Sequence, residues 1–195
     1  MLRSRAMDVS PHIPSRGTGA SKDPGCEFAR SEANGSATAR ASGDFAEVTP
    51  PPAVPDAPTG AAVFALAHAV RHDECSALVP HANNIVILSW IDLLAARHGD
   101  AAGASRAELA TAGRMWFVAR HEIDYLAEAF AGDELLLATW VERLGRTSLV
   151  RATRIVRARD GCLLTRATSR WALVDLATRR PAAIDEGVRG RLRPA

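Results

Sequence analysis

The period of the apolar positions changes several times along the chain, and each change marks an element. Ala61 to Val70 form an apolar run behind the turn-forming stretch Pro55 to Gly60, which predicts a strand. From Asn83 to His98 apolar residues cover nearly the whole helical circumference, predicting a buried helix about 24 Å long. Asn83 or Asn84 caps it, the cationic Arg97 and His98 suit its C-terminus, and Gly99 stops it. A weaker helical stretch follows, Ala104 to Ala112. After Gly113 the period becomes two, with Met115, Phe117, Ala119, His121, Ile123 and Tyr125 on one face and Arg114, Arg120, Glu122 and Asp124 on the other. A loop at Ala131-Gly132-Asp133 leads into a strand from Glu134 to Leu144, and Gly145 turns the chain into Thr147 to Arg159. Asp160-Gly161 is a hairpin signal before Cys162 to Leu176, where Leu163, Ala167, Trp171 and Leu173 face one way and Arg166 and Arg170 the other.

The order is strand, long helix, then four strands, an α+β arrangement. A flat sheet cannot cover such a helix, so the sheet must curl around it. The sheet edges left open are most economically covered by a second subunit, which predicts a dimer. Residues 1–57 are rich in Ser, Gly, Ala, Pro and Arg, contain Thr49-Pro50-Pro51-Pro52 and lack apolar periodicity; they are expected to be a disordered, low-complexity tail. The folded domain is expected to span 58–195.

Composition narrows the class. At 195 residues and 47% hydrophobic, the chain suits one domain with a substantial core. There is no apolar run long enough for a membrane span, and no secretory signal in the first thirty residues, so a soluble, cytoplasmic protein is expected. Cys26, Cys75 and Cys162 fit neither a disulfide framework nor a zinc site and read as free thiols. The last fifty residues hold twelve of the 24 cations and only four carboxylates. That surplus is either a solvated basic face or a site for a phosphorylated ligand or carrier. Nucleic acid is not expected, because aromatics are 5% of residues and no recognition motif accompanies the arginines.

No phosphate-binding glycine loop, nucleophile elbow or paired-histidine metal motif is present. What stands out is the segment from Arg71 to Asn84, which brings His72, Asp73, Glu74 and His81 with two asparagines to a helix start. Free N–H groups there can hold a developing oxyanion. His81 either sits beside a reacting carbonyl or is a loop histidine satisfied by backbone. Asn83 and Asn84 are simplest as caps, and one of them can also orient a water. Asp92 is the lone carboxylate of residues 83–98, on a stripe with Asn84 or Ile85 and Ser89. It serves either in catalysis and binding or as the partner of an arginine. Cys75 and Ser76 are weak nucleophile candidates because no base is specified by spacing.

His81-Ala82-Asn83-Asn84, followed by the apolar Ile85 to Leu93, resembles the helix start of hotdog-fold acyl-CoA thioesterases of the 4-hydroxybenzoyl-CoA thioesterase type and of the related plant acyl-carrier-protein thioesterases. Ile123-Asp124-Tyr125-Leu126 with Gly132-Asp133 is similar to the family's second strand and turn, and Val174-Asp175 through Arg180-Pro181 and Ile184 to its closing strand. The match runs from about Ala61 to Leu192. The resemblance implies a helix wrapped by five or six strands, a dimer or tetramer, no cofactor or metal, and hydrolysis of an acyl-CoA or acyl-carrier-protein thioester between subunits. It assigns His81, Asn83, Asn84, Asp92 and Glu74 to catalysis. Ser76, Ala77, Ile85, Ser89 and Tyr125 then line the thioester, and Arg146 and Arg151 meet phosphates at the tunnel mouth. One departure matters: where the family commonly has Asp-x-Asp, this chain has Glu74-Cys75-Ser76-Ala77. The alternative implied is a non-catalytic hotdog protein that binds an acyl thioester or a carrier protein.

Overall fold

The computed structural model describes residues 45–194. One six-stranded antiparallel sheet, in the order β1-β2-β4-β5-β6-β3, carries the long helix α1 on one face. The strands are β1 (Ala46–Glu47), β2 (Phe64–Ala69), β3 (Arg114–Tyr125), β4 (Glu134–Leu144), β5 (Ser148–Arg157) and β6 (Leu163–Asp175). The helices are α1 (Asn84–Ala101) and the short α2 (Arg106–Thr111) and α3 (Glu186–Arg191), with a 3₁₀ turn at His72–Glu74. The expected α+β architecture is present, with strands β4 to β6 forming the meander that the turn residues predicted. Gly161, at φ +68°, makes the β5–β6 turn in a conformation that a side chain would strain.

Four local readings change. First, α1 does not stop at Gly99 but runs to Ala101, and the positive φ of Gly103 ends the segment instead. A single glycine inside a packed helix costs only about 1 kcal/mol, too little to break it. Second, α1 is not buried all round: Ile87, Trp90, Ile91, Leu94, Ala95 and His98 face the sheet, whereas Ile85 is 72% exposed. Third, the register of β3 shifts between Val118 and Arg120, so its facing does not alternate uniformly. Trp116 packs into the core before the bulge and Ile123 after it, while Phe117 is exposed. Fourth, Cys75 is a free thiol as expected but Cys162 is disulfide-bonded.

Part of the expected tail is held by the sheet. Ala46 and Glu47 pair with Ala67 and Leu66, Phe45 stacks on His68 at 4.1 Å, and Asp56 forms ion pairs with Arg154 and Arg166. The rest of that expected tail, residues 1–44, lies outside the described residues.

The core between helix and sheet falls into two apolar clusters. One gathers Phe64, Ile91, Leu137, Ile155 and Leu164 towards the helix start; the other gathers Ala95, Leu149, Trp171, Leu173 and Val188 near its end. Between them the sheet is polar. Arg151 pairs in register with Ser169, and Ser169 with His121, so three polar residues cross three strands in one row. His121 Nδ1 and Ser169 Oγ are 2.8 Å apart, and Arg151 donates to Nδ1 of His98, which descends from α1. Burial, helped by the Arg151 charge, pushes His98 down from 6.5 to about 3.

His98 therefore stays neutral in the fold while its counterpart in the unfolded chain protonates below about 6.5. This contribution to stability is whole above that pH and is lost as pH falls from about 6.5 to about 3, by an amount of the order of 5 kcal/mol. His98→Gln keeps an acceptor for Arg151 but cannot titrate. Urea unfolding of the two proteins across this range is expected to give a markedly flatter pH dependence for the variant.

Candidate active site

The loop before α1 is clipped to the body of the protein on both sides. Cys75 bridges Ala82, Ser76 N–H donates to the His81 carbonyl at 2.9 Å, and Ala82 N–H donates to the Ala129 carbonyl at 2.8 Å. Glu74, 5% exposed, ties this loop to both strand and helix. Its carboxylate accepts from His68 Nε2 and the Arg71 N–H, each at 2.8 Å, and from Trp90 Nε1 at 3.1 Å, with the Arg71 guanidinium at 3.3 Å. The helix tip is thereby fixed relative to β2.

At the tip Asn83 is the N-cap: its Oδ1 accepts from Ile85 N–H at 2.8 Å, and its own N–H donates to the Glu74 carbonyl. Those two amides are therefore occupied. The N–H groups of Asn84 and Val86 have no acceptor among the described residues, and the Asn84 side chain is exposed beside them. His81 Nδ1 lies 3.0 Å from the Ala82 carbonyl, an acceptor only, so Nδ1 carries the proton and Nε2 presents its lone pair. Around the tip Leu78, Val79, Ile85 and Phe130 are exposed. The tip is open surface on the single chain, and two cavities lie at the other end of the helix.

The remaining residues named from sequence are spread more widely. Ser76 Oγ accepts from Leu78 N–H at 3.3 Å, and Ala77 is in the same loop. Ser89 is on the exposed side of α1 and donates to the Val86 carbonyl at 2.6 Å. Asp92 is held bidentately by Arg106 of α2, at 2.7 and 3.0 Å, the arginine pairing that was one of its two readings. It sits eight residues past Asn84, about 12 Å along the helix from its own tip. Tyr125 ends β3, 45% exposed. Arg146 is exposed in the β4–β5 turn, at the end of the sheet away from the tip. Arg151 is not at any mouth: strand alternation turns it inward, where it is 4% exposed, so a role on external phosphates does not fit it. No group of three or more His, Cys, Asp or Glu among the described residues is arranged to hold a metal ion.

The sequence model of the Thioesterase-like superfamily matches residues 70–192, from the end of β2 through α3. The chain belongs to the Thioesterase-like superfamily.

Among curated relatives of this superfamily member, a chloroplastic palmitoyl-acyl carrier protein thioesterase of Gossypium hirsutum is 32% identical over 96 residues, 49% of this chain and 23% of that protein. An acyl-[acyl-carrier-protein] hydrolase of Cuphea viscosissima is 32% identical over 80 residues, covering 41% and 19%. The chain thus spans less than a quarter of these relatives' length. Among solved structures, a 1,4-dihydroxy-2-naphthoyl-CoA thioesterase from Synechocystis superposes with a TM-score of 0.62 at 17% identity, over 67% of this chain and 95% of that one. A 12:0-ACP thioesterase from Umbellularia californica gives 0.59 at 23%, over 66% and 52%. At such identities the structural likeness establishes the shared hotdog fold.

Sequence reasoning missed how Glu74 is used, because Trp90 and His68, its partners, are 16 and 6 residues away and look like ordinary core positions. Four donors meeting one buried carboxylate make Glu74 a structural acceptor. Glu74→Gln, which presents an amide to those donors, is expected to cost roughly 2–3 kcal/mol in urea unfolding. A residue serving only as a water-activating base would leave the unfolding midpoint where it was.

Proposed function

We propose that this protein hydrolyses acyl thioesters, with the open first turn of α1 holding the thioester carbonyl. The observation that carries the reading is the pair of uncovered N–H groups, Asn84 and Val86, beside a histidine whose tautomer leaves Nε2 as an acceptor. Charge grows on the carbonyl oxygen when water adds to it. Two fixed amides at the positive end of a helix stabilise that charge without reorganising, an effect worth roughly 3–4 kcal/mol per donor in comparable sites. His81 Nε2 takes the proton from the attacking water, and the Asn84 amide orients that water. The tetrahedral intermediate then expels the thiol, which leaves as thiolate or receives the same proton from His81.

Neither carboxylate suits the role of base at its own tip. Glu74 is filled with donors, and Asp92 is too far along the helix. Asp92 reaches a thioester only at the tip of a second copy, where Ser89 and Ile85 of the same open stripe would line the channel. Exposed Leu78, Ile85 and Phe130 support closure of the site by apolar contact, either with that copy or with the acyl chain. The acyl donor is a CoA or an acyl-carrier-protein thioester, since thioesterases of both classes are among the relatives and structural neighbours. The working form is a homo-oligomer.

Release of free thiol from a panel of acyl-CoAs and acyl-carrier proteins tests this. His81→Ala is expected to lower kcat by about two to four decades with little change in KM. Asp92→Asn in a wild-type background is expected to cost less than His81→Ala. Binding without turnover by the wild-type protein would transfer the assignment to a non-catalytic acyl-thioester binder.

A further inference from the structure

We infer that the cavity between the C-terminal half of α1, α2 and the sheet binds a carboxylate-sized anion, held by the guanidinium of Arg151, with the Trp171 ring in the wall beside it. Ala95, Ala96, Gly99, Ala104 and Leu149 give the cavity apolar walls, and Arg106, Arg151, Trp116 and Trp171 also line it. Its volume of about 30 Å³ exceeds the 10–15 Å³ that one water needs.

Two residues of this lining carry an N–H packed out of solvent contact with no acceptor among the described residues, Arg151 at Nε and Trp171 at Nε1. Arg151 has one hydrogen-bond partner, the neutral imidazole of His98. The other arginines of β5 differ. Arg154, as buried as Arg151 but on the opposite face, has the Asp56 carboxylate at 3.2 Å, and Arg157 has Asp160 at 3.0 Å. Arg106 is no substitute partner, being itself a cation whose field acts against Arg151 and whose fork is filled by Asp92. Burial lowers Arg151 only to about 10, so it remains charged at neutral pH. The cavity lining thus carries an uncompensated positive charge in a region of low dielectric, the situation in which a buried ion recruits a counter-charge.

The ligand chemistry is one planar or spherical monoanion no larger than acetate, or a carboxylate group of that size at the end of a longer molecule. It has two possible sources: a free small carboxylate, or the far end of an acyl chain whose thioester lies at the helix tip. The second source rests on the hydrolase reading; the first does not.

Acetate titration of the full-length ¹⁵N-labelled protein tests the site, with gluconate, too bulky for the cavity, holding the ionic strength. The Trp171 indole resonance is assigned by its absence from Trp171→Phe. The expected result is a saturable shift of that resonance with acetate and none with gluconate. Arg151→Lys, which keeps the charge and loses the planar fork, is expected to weaken acetate binding about tenfold or more. A resonance that does not move, or that moves alike with gluconate or in Arg151→Lys, overturns the proposal. Thiol release from acyl-CoAs ending in methyl or in carboxylate then separates the sources. A preference for the carboxylate-ended series that Arg151→Lys erases identifies the substrate's far end, and acetate binding without such a preference identifies a free ligand. Because the shift needs no turnover, absence of hydrolysis leaves this site standing.

Discussion

The carboxylate of Glu74 is the point where strand, loop and helix are joined. His68 reaches it from β2, the Arg71 amide from the 3₁₀ turn and the Trp90 indole from the second turn of α1. An apolar side chain of similar volume would fill the space, but it would leave the Trp90 and Arg71 donors unsatisfied and the angle between helix and strand set only by packing. Hydrogen bonds to one acceptor fix direction as well as distance. The Glu74 carbonyl adds the final tie by accepting the Asn83 N–H. The residue that the family resemblance assigned to chemistry thus holds in place the amides that the chemistry would use.

The two ends of α1 differ in kind. At its start the chain leaves backbone donors open at the surface, with apolar side chains around them. Near its end, side-chain donors are buried without acceptors. Between lies the polar row of Arg151, Ser169 and His121, which divides one core into two. A row of this kind adds no apolar burial and imposes hydrogen-bonding demands, so it weakens the core unless each member is satisfied. His121 and Ser169 satisfy each other and His98 accepts from Arg151. The residues whose N–H groups are left over, Arg151 and Trp171, line the cavity.

Much of the architecture was legible because it follows from periodicity. Period two marked the long strands, the apolar run marked α1, and Asp160-Gly161 and Gly132 marked turns. What was not legible depended on contacts distant in sequence. No pattern in Met115 to Tyr125 announces the bulge near Ala119; the bulge comes from register against β6, and it turns Trp116 inward where alternation had favoured Phe117. Gly99 resembles a helix stop, yet the packing of His98 and Ala95 carries the helix past it. The family resemblance puts Arg151 at a phosphate-binding tunnel mouth, and only its position between Leu149 and Thr153 on the inward face of β5 shows otherwise. Sequence located the helix start behind His81-Ala82-Asn83-Asn84, but the partners of Glu74 and Asp92 needed the distances.

The single chain leaves the tip uncovered, and this bears on how such a site would work. An oxyanion site gains most of its strength from exclusion of water, because the field of two amides is worth far less at high dielectric. Here Asn83, Asn84 and Ile85 are all exposed, and β3, an edge strand twelve residues long, leaves Phe117, Val118 and Tyr125 at the surface. A substrate acyl chain can cover Ile85 and Phe130 but not a strand edge of that length. In the proposed homo-oligomer, a second copy placed along β3 would cover the edge, and the reading requires that it bring another open α1 stripe opposite the first. Asp92, about 12 Å from the tip it follows in sequence, would then be a neighbour of the other tip, its carboxylate held in place by Arg106. On this argument dryness at the amides and a carboxylate within reach would have the same origin, the proposed pairing of two chains.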